Sequence, residues 1–145
     1  MATSATITLK TKDGKYKSVY LHNDGYLEGA GYVLKKYYPT YEKVDQLLNL
    51  GNLSSLGRTP VDDPNLWDMD YWMELHHKSI GNNYSHPIER PDSLKCRTYK
   101  GRGDQDEDAI IVDELNGNIY WKGYNYLFEN GKWYLIEPDG DKIEF

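Results

Sequence analysis

Tyr124-Asn125-Tyr126-Leu127-Phe128-Glu129-Asn130-Gly131-Lys132-Trp133-Tyr134-Leu135-Ile136 decides the fold. Asn130-Gly131 suits a two-residue hairpin turn, because both central positions of such a turn need a positive φ. A turn there sets Phe128 opposite Trp133 and Tyr126 opposite Leu135, with Leu127 and Tyr134 on the other face. Downstream, Pro138-Asp139-Gly140 turns the chain again, and Ile143 and Phe145 close a last strand. Upstream, Asn116-Gly117 is a second hairpin dipeptide after the strand candidate Ile110-Ile111-Val112, and residues 94–100 read as another short strand.

The N-terminal part repeats the theme. Ala5, Ile7 and Leu9 alternate with Thr6, Thr8 and Lys10, the period-two pattern of a half-buried strand. Asp13-Gly14 turns it back into a second strand over residues 16–21. Val19 and Leu21 share one face of that strand, and Ser18, Tyr20 and His22 share the other. A polar turn follows at His22-Asn23-Asp24-Gly25-Tyr26. Ala30, Val33, Leu34, Tyr37 and Tyr38 then recur at helical spacing until Pro39 stops them. Thr40 is an N-cap for a second helix with Val44, Leu47 and Leu48 as its buried stripe, and Gly51 is its stop. Leu53 and Leu56 are expected to tuck under the helices from a polar loop. The pattern predicts one α+β domain over residues 1–145. It has an antiparallel β-sheet, made of an N-terminal hairpin and a C-terminal meander, with two short helices packed on one face.

Residues 58–94 read as an irregular, insertion-like region. Asp63-Pro64 signals a helix start, which predicts a short helix through Trp67, Tyr71, Trp72 and Leu75. The apolar residues there are too evenly spread for a clean amphipathic stripe. Residues 81–91 read as loop.

Composition narrows the function. The 145 residues carry a net charge of −6 and include 14 Tyr and 4 Trp but only 2 Phe. Tyr and Trp join an apolar body to a polar tip, so they suit a core bordering water as well as a binding face. The densest basic stretch (Lys10, Lys12, Lys15 and Lys17) straddles a turn, so direct nucleic-acid binding is disfavoured. An acidic surface suits a basic partner instead. Cys96 is the single cysteine, so no internal disulfide forms. The first ten residues lack a secretory pattern, and no apolar run is long enough for a membrane span. The expected location is the cytoplasm.

Four features bear on chemistry. His22 and Asp24, two apart on a turn, either share a hydrogen bond that orients the imidazole or simply serve the turn. Lys100-Gly101-Arg102-Gly103-Asp104 places an arginine fork between two glycines, as a phosphate or carboxylate ligand would need, or forms a solvated acidic loop with Gln105-Asp106-Glu107-Asp108. That run lacks the glycine and glutamate of a calcium loop, since Ala109 and Leu115 stand in those places. His76-His77 are neighbours on a helix and face apart, so no zinc site is expected, and His86 lies in a loop. Cys96, flanked by Lys95 and Arg97 on a strand, reads as a small core residue. No nucleotide-binding or serine-hydrolase fingerprint occurs, so no cofactor or metal is expected and the reading leans away from an enzyme.

Ser18-Val19-Tyr20-Leu21-His22-Asn23-Asp24-Gly25-Tyr26, with Leu47-Leu48-Asn49-Leu50-Gly51-Asn52-Leu53-Ser54-Ser55-Leu56-Gly57 after a helix, resembles a family of small, largely uncharacterised bacteriophage proteins. That family shows an Ile-Tyr-Cys-His-Trp-Asp-Gly-Tyr-like segment and a Leu-Gly-Asp-Leu-Ser-Ser-Leu-like stretch. Tyr99-Lys100-Gly101-Arg102-Gly103-Asp104 resembles its Tyr-His-Arg-Asp-Arg-Gly-Glu-like motif. Here Leu21 and Asn23 stand where the family often has Cys and Trp, and residues 58–94 are unmatched. The resemblance implies phage origin and the host cytoplasm. By analogy it implies counter-defence, in one of two forms. The protein is a stoichiometric inhibitor of a host defence protein, such as a nuclease or CRISPR effector. Alternatively, a pocket formed by His22, Asp24, Tyr26, Tyr99, Arg102 and Asp104 binds or cleaves a small phosphorylated nucleotide.

Overall fold

The structure is a computed structural model that describes residues 3–80, 91–115 and 123–145, with the side chains of 75–80 outside the description. The loop at 81–90, the Asn116-Gly117 turn, His86, and the side chains of Leu75, His76 and His77 therefore lie outside the described residues.

The chain is α+β. Strands β1 (Ala5–Lys10) and β2 (Tyr16–Leu21) form the N-terminal hairpin, with Ala5 opposite Leu21 and Lys10 opposite Tyr16. Strands β3 (Leu53–Ser55), β4 (Arg97–Thr98) and β5 (Ile110–Val112) follow. The C-terminal meander is β6 (Tyr124–Glu129), β7 (Lys132–Ile136) and β8 (Lys142–Glu144). One sheet runs β4-β3-β2-β1-β6-β7-β8, and β5 also pairs with β2. The β6–β7 register is the one the turn dictates: Phe128 opposite Trp133 and Tyr126 opposite Leu135. Asn130 at φ 54 and Gly131 at φ 77 supply the two positive values.

The sheet is mixed, not antiparallel throughout. β6 lies parallel to β1, and β3 lies parallel to β2. Turn dipeptides dictate the sense of neighbouring strands only. The parallel joints connect strands far apart in the chain, where no turn residue governs direction. Residues 53–55 also form a strand instead of a loop. The predicted strand at 94–100 shrinks to β4, because Thr98 starts a helical turn at once: its hydroxyl accepts from Gly101 N at 2.8 Å.

Helix α1 (Tyr32–Tyr37) is entered through a π-helical turn, Leu27–Gly31, and α2 (Tyr41–Leu48) follows Pro39. The Thr40 hydroxyl accepts from Lys43 N at 3.3 Å, the expected cap. Gly51 at φ +84 ends the segment, and a Cβ there would sit 2.2 Å from the Glu107 carbonyl oxygen. Val33, Leu34, Val44, Leu47 and Leu48 pack on the sheet face made of Ala5, Ile7, Leu9, Val19, Leu21, Leu53, Tyr126, Phe128 and Trp133. The polar tips of the core aromatics are satisfied: Tyr38 Oη donates to Gly57 O at 2.9 Å, Tyr126 Oη to Gly25 O at 2.7 Å, and Trp133 Nε1 to Tyr38 O at 2.9 Å. The opposite face carries paired polar groups, Thr6 with Asn125 and Thr8 with Ser18.

Residues 64–67 form a 3-10 turn, with Asp63 accepting from Asn65 N, and α3 (Met69–Ile80) follows. A four-residue helix, α4 (Tyr99–Arg102), ends at Gly103, φ +99. Among the described residues no helix is long and apolar enough to cross a membrane.

Candidate binding surface

The strand edge at β3 and β4 brings the two sequence motifs together. Asn52 is the stitch. Its Oδ1 accepts from Tyr20 N at 2.8 Å, its carbonyl accepts from Tyr99 N at 3.2 Å, and its Nδ2 donates to Glu107 Oε2 at 2.9 Å. Ser54 adds a second link. Its hydroxyl accepts from Asn23 Nδ2 at 3.3 Å and from Arg97 Nε at 3.2 Å.

His22 does not use Asp24. Its Nδ1 shares a 2.6 Å hydrogen bond with the Tyr20 hydroxyl, which donates when the imidazole nitrogen carries no proton. Burial raises the Tyr20 phenol above its ordinary value, and nearby Tyr99 adds to the rise. Asp24 and Tyr26 build the turn into α1. Asp24 sits at φ 58, its carbonyl accepts from Ala30 N at 3.0 Å, and the Tyr26 carbonyl accepts from Gly29 N at 3.0 Å.

Arg102 and Asp104 form a two-point ion pair, Nε to Oδ1 at 3.0 Å and Nη2 to Oδ2 at 2.5 Å. The pair raises the guanidinium and lowers the carboxyl relative to their ordinary values. The arginine fork is therefore filled from within its own loop. The space beside Gly101 is also taken internally, because a Cβ there would meet Asp62 Oδ2 at 2.5 Å. Asp62 is held in place by Thr98, whose amide and hydroxyl both donate to its Oδ1.

The sequence reading missed what surrounds Arg102. Its guanidinium lies 4.5 Å from the Trp67 ring centroid and 5.1 Å from that of Tyr99. Arg97 lies 4.5 Å from both the Trp67 and the Trp72 rings. Trp72, Arg97, Trp67, Arg102 and Tyr99 thus form an alternating series of rings and cations, with Trp67 and Tyr99 in ring contact at 5.7 Å. The Trp67 indole N–H donates to Thr98 O at 2.9 Å, which locks its plane. The weak amphipathicity of 67–75 was the only trace in the sequence: Trp67 and Trp72 meet arginines, not an aliphatic core. Nothing local couples 67–72 to 97–102.

Burial pulls the Arg97 guanidinium below its ordinary value; the Arg102 charge adds to this, while Tyr99 opposes it. Burial raises the Tyr99 phenol, against the pull of Ser54, Arg102 and Arg97. Cys96, next to Arg97 in sequence, points the other way. It is fully buried, accepts from Gly57 N at 3.2 Å, and burial pushes its thiol up to about 12.

Three clefts among the described residues are lined by none of Trp67, Trp72, Arg97, Tyr99 and Arg102, one of them, of about 300 Å³, being bounded by Asp63, Leu66, Tyr71, Leu94 and Lys95 among others. One of about 410 Å³ sits at the hairpin tips and is lined by Lys10, Lys12, Tyr41, Phe128 and Asn130 among others; none of the six candidate residues lines it. Asn23 and Asp24 line a crevice of only about 20 Å³. No protein-family model, curated protein or solved structure matches this chain.

Proposed function

We propose that this chain is a phage-type counter-defence protein that binds a host defence protein stoichiometrically, such as a nuclease or a CRISPR effector. The observation that supports this reading is the ordered series Trp72-Arg97-Trp67-Arg102-Tyr99 at a sheet edge. Trp, Tyr and Arg dominate the energy of protein interfaces, and rings held in place beforehand lose little freedom on docking. Met69, 65 % exposed, stands two residues from Trp67 in sequence. The acidic run that starts at Asp104 adjoins it and suits a rim facing basic groups.

A phosphorylated nucleotide held by Arg102 is the alternative. It asks for displacement of Asp104 from the guanidinium fork and for more room than the crevice beside Asp24 offers, since ligand pockets typically hold a few hundred Å³.

The test is a pull-down from host lysate, followed by reconstitution with the purified partner. The wild-type chain is expected to form a fixed-ratio complex, and Trp72→Ala with Tyr99→Ala to weaken it by about 2 kcal/mol or more while the fold is kept. Recovery of no partner, or a complex indifferent to both changes, counts against the proposal. A thermal shift with a nucleotide that Arg102→Ala abolishes would move the function to the alternative.

A further inference from the structure

We infer that Arg97 is the specificity-determining contact of this surface and that it takes a carboxylate from an acidic segment of the partner protein; this rests on the protein-binding reading above. Of its guanidinium, Nε donates to Ser54 Oγ at 3.2 Å and Nη1 to the Leu66 carbonyl at 3.4 Å. These are neutral acceptors. Among the described residues no carboxylate pairs with Arg97, whereas Arg102 has Asp104, Lys100 has Asp108 and Lys17 has Asp45. Nη2 has no acceptor among the described residues, and Arg97 is only partly buried.

The position adds to this. Arg97 and Arg102 both lie 4.5 Å from the Trp67 ring, so the two cations are within twice that distance of each other. The Arg102 charge works against the charged form of Arg97. An incoming carboxylate relieves that repulsion and meets a planar donor edge already held by two rings and two hydrogen bonds. The indoles of Trp67 and Trp72 receive the apolar part of the same segment.

A nucleic acid is the poorer occupant. Guanidiniums already lie against Trp67, Trp72 and Tyr99, the rings on which bases would stack.

The experiment uses the full chain with nitrogen-15 arginine labels. The probe is a tetraglutamate peptide, with tetralysine and inorganic phosphate as separate arms. The Arg97 Nε–H signal, assigned by its loss in Arg97→Lys, is expected to move saturably with tetraglutamate and not with tetralysine. Arg97→Lys keeps the charge but loses the fork, and should weaken the peptide response in tryptophan fluorescence by about tenfold or more. Arg102→Lys, whose cation is already paired, should change it less. A thermal melt shows that each variant is folded. If Arg97→Lys melts early, saturation transfer to the wild-type Arg97 signal decides alone. No movement with tetraglutamate, or an equal response to phosphate, overturns the carboxylate assignment. A partner recovered by pull-down alongside that negative result would leave the binding role standing and remove only this inference.

Discussion

Trp133 and Trp67 solve the same problem at opposite ends of the sheet. Each indole N–H donates to a backbone carbonyl at 2.9 Å, Tyr38 O for Trp133 and Thr98 O for Trp67. They differ in what covers the ring. Trp133 is 4 % exposed and meets Phe128 edge-on, with centroids 5.1 Å apart. Trp67 is half-buried and meets two guanidiniums. A ring covered by hydrocarbon contributes stability through its removal from water. A ring covered by cations gains less from burial and stays at the surface, oriented and accessible. The same residue type thus makes core at one end and contact surface at the other.

The largest expected break in that contrast is Trp133→Ala. It should cost about 3–5 kcal/mol in denaturant unfolding, the range for deleting a buried aromatic. Trp67→Ala should cost about 1–2 kcal/mol, chiefly lost cation–π contact. Equal losses would mean that the β3–β4 edge is as much core as the meander. A sharper version compares hydroxyls. Tyr38→Phe leaves the buried Gly57 carbonyl without its donor and should cost about 1–3 kcal/mol, whereas Tyr99→Phe, at the half-exposed surface, should cost little.

The smallest effect is a pH dependence centred on Glu129 of the meander. Lys142, at 2.9 Å, and Lys10, at 3.4 Å, hold the Glu129 carboxyl below its ordinary value of 4.5. A carboxyl lowered on folding stabilises the fold above its unfolded value and loses that contribution as pH falls through its folded value. Stability should therefore drop below about pH 4.5 in part through Glu129. In Glu129→Gln the acid limb of a melting profile should be shallower, and an unchanged limb would refute the assignment.

Much of the architecture was legible because it is local. Asn130-Gly131 carries its register with it, since only residues tolerant of positive φ make that turn, and the facing pairs follow by counting. Thr40 and Pro39 bounded the helices for the same kind of reason. Residues 53–55 were misread because a three-residue strand has too little alternation to show. The candidate residues divided along the same line. His22 and Asp24 are close in sequence, yet His22 turned to Tyr20, because the strand places residues i and i+2 on one face up to Leu21, whereas Asp24 lies past the strand end at φ 58.

The sequence by itself determined the hairpins, the helix pair, the helix-side core and the inward face of Cys96, since each rests on short-range periodicity and backbone preference. Tertiary structure alone decided that β6 and β3 enter parallel, that Asn52 joins the His22 and Tyr99 segments, and that Arg97 and Arg102 share one indole. Those contacts join residues about thirty or more positions apart, and their geometry follows from how the sheet closes, which no local preference encodes.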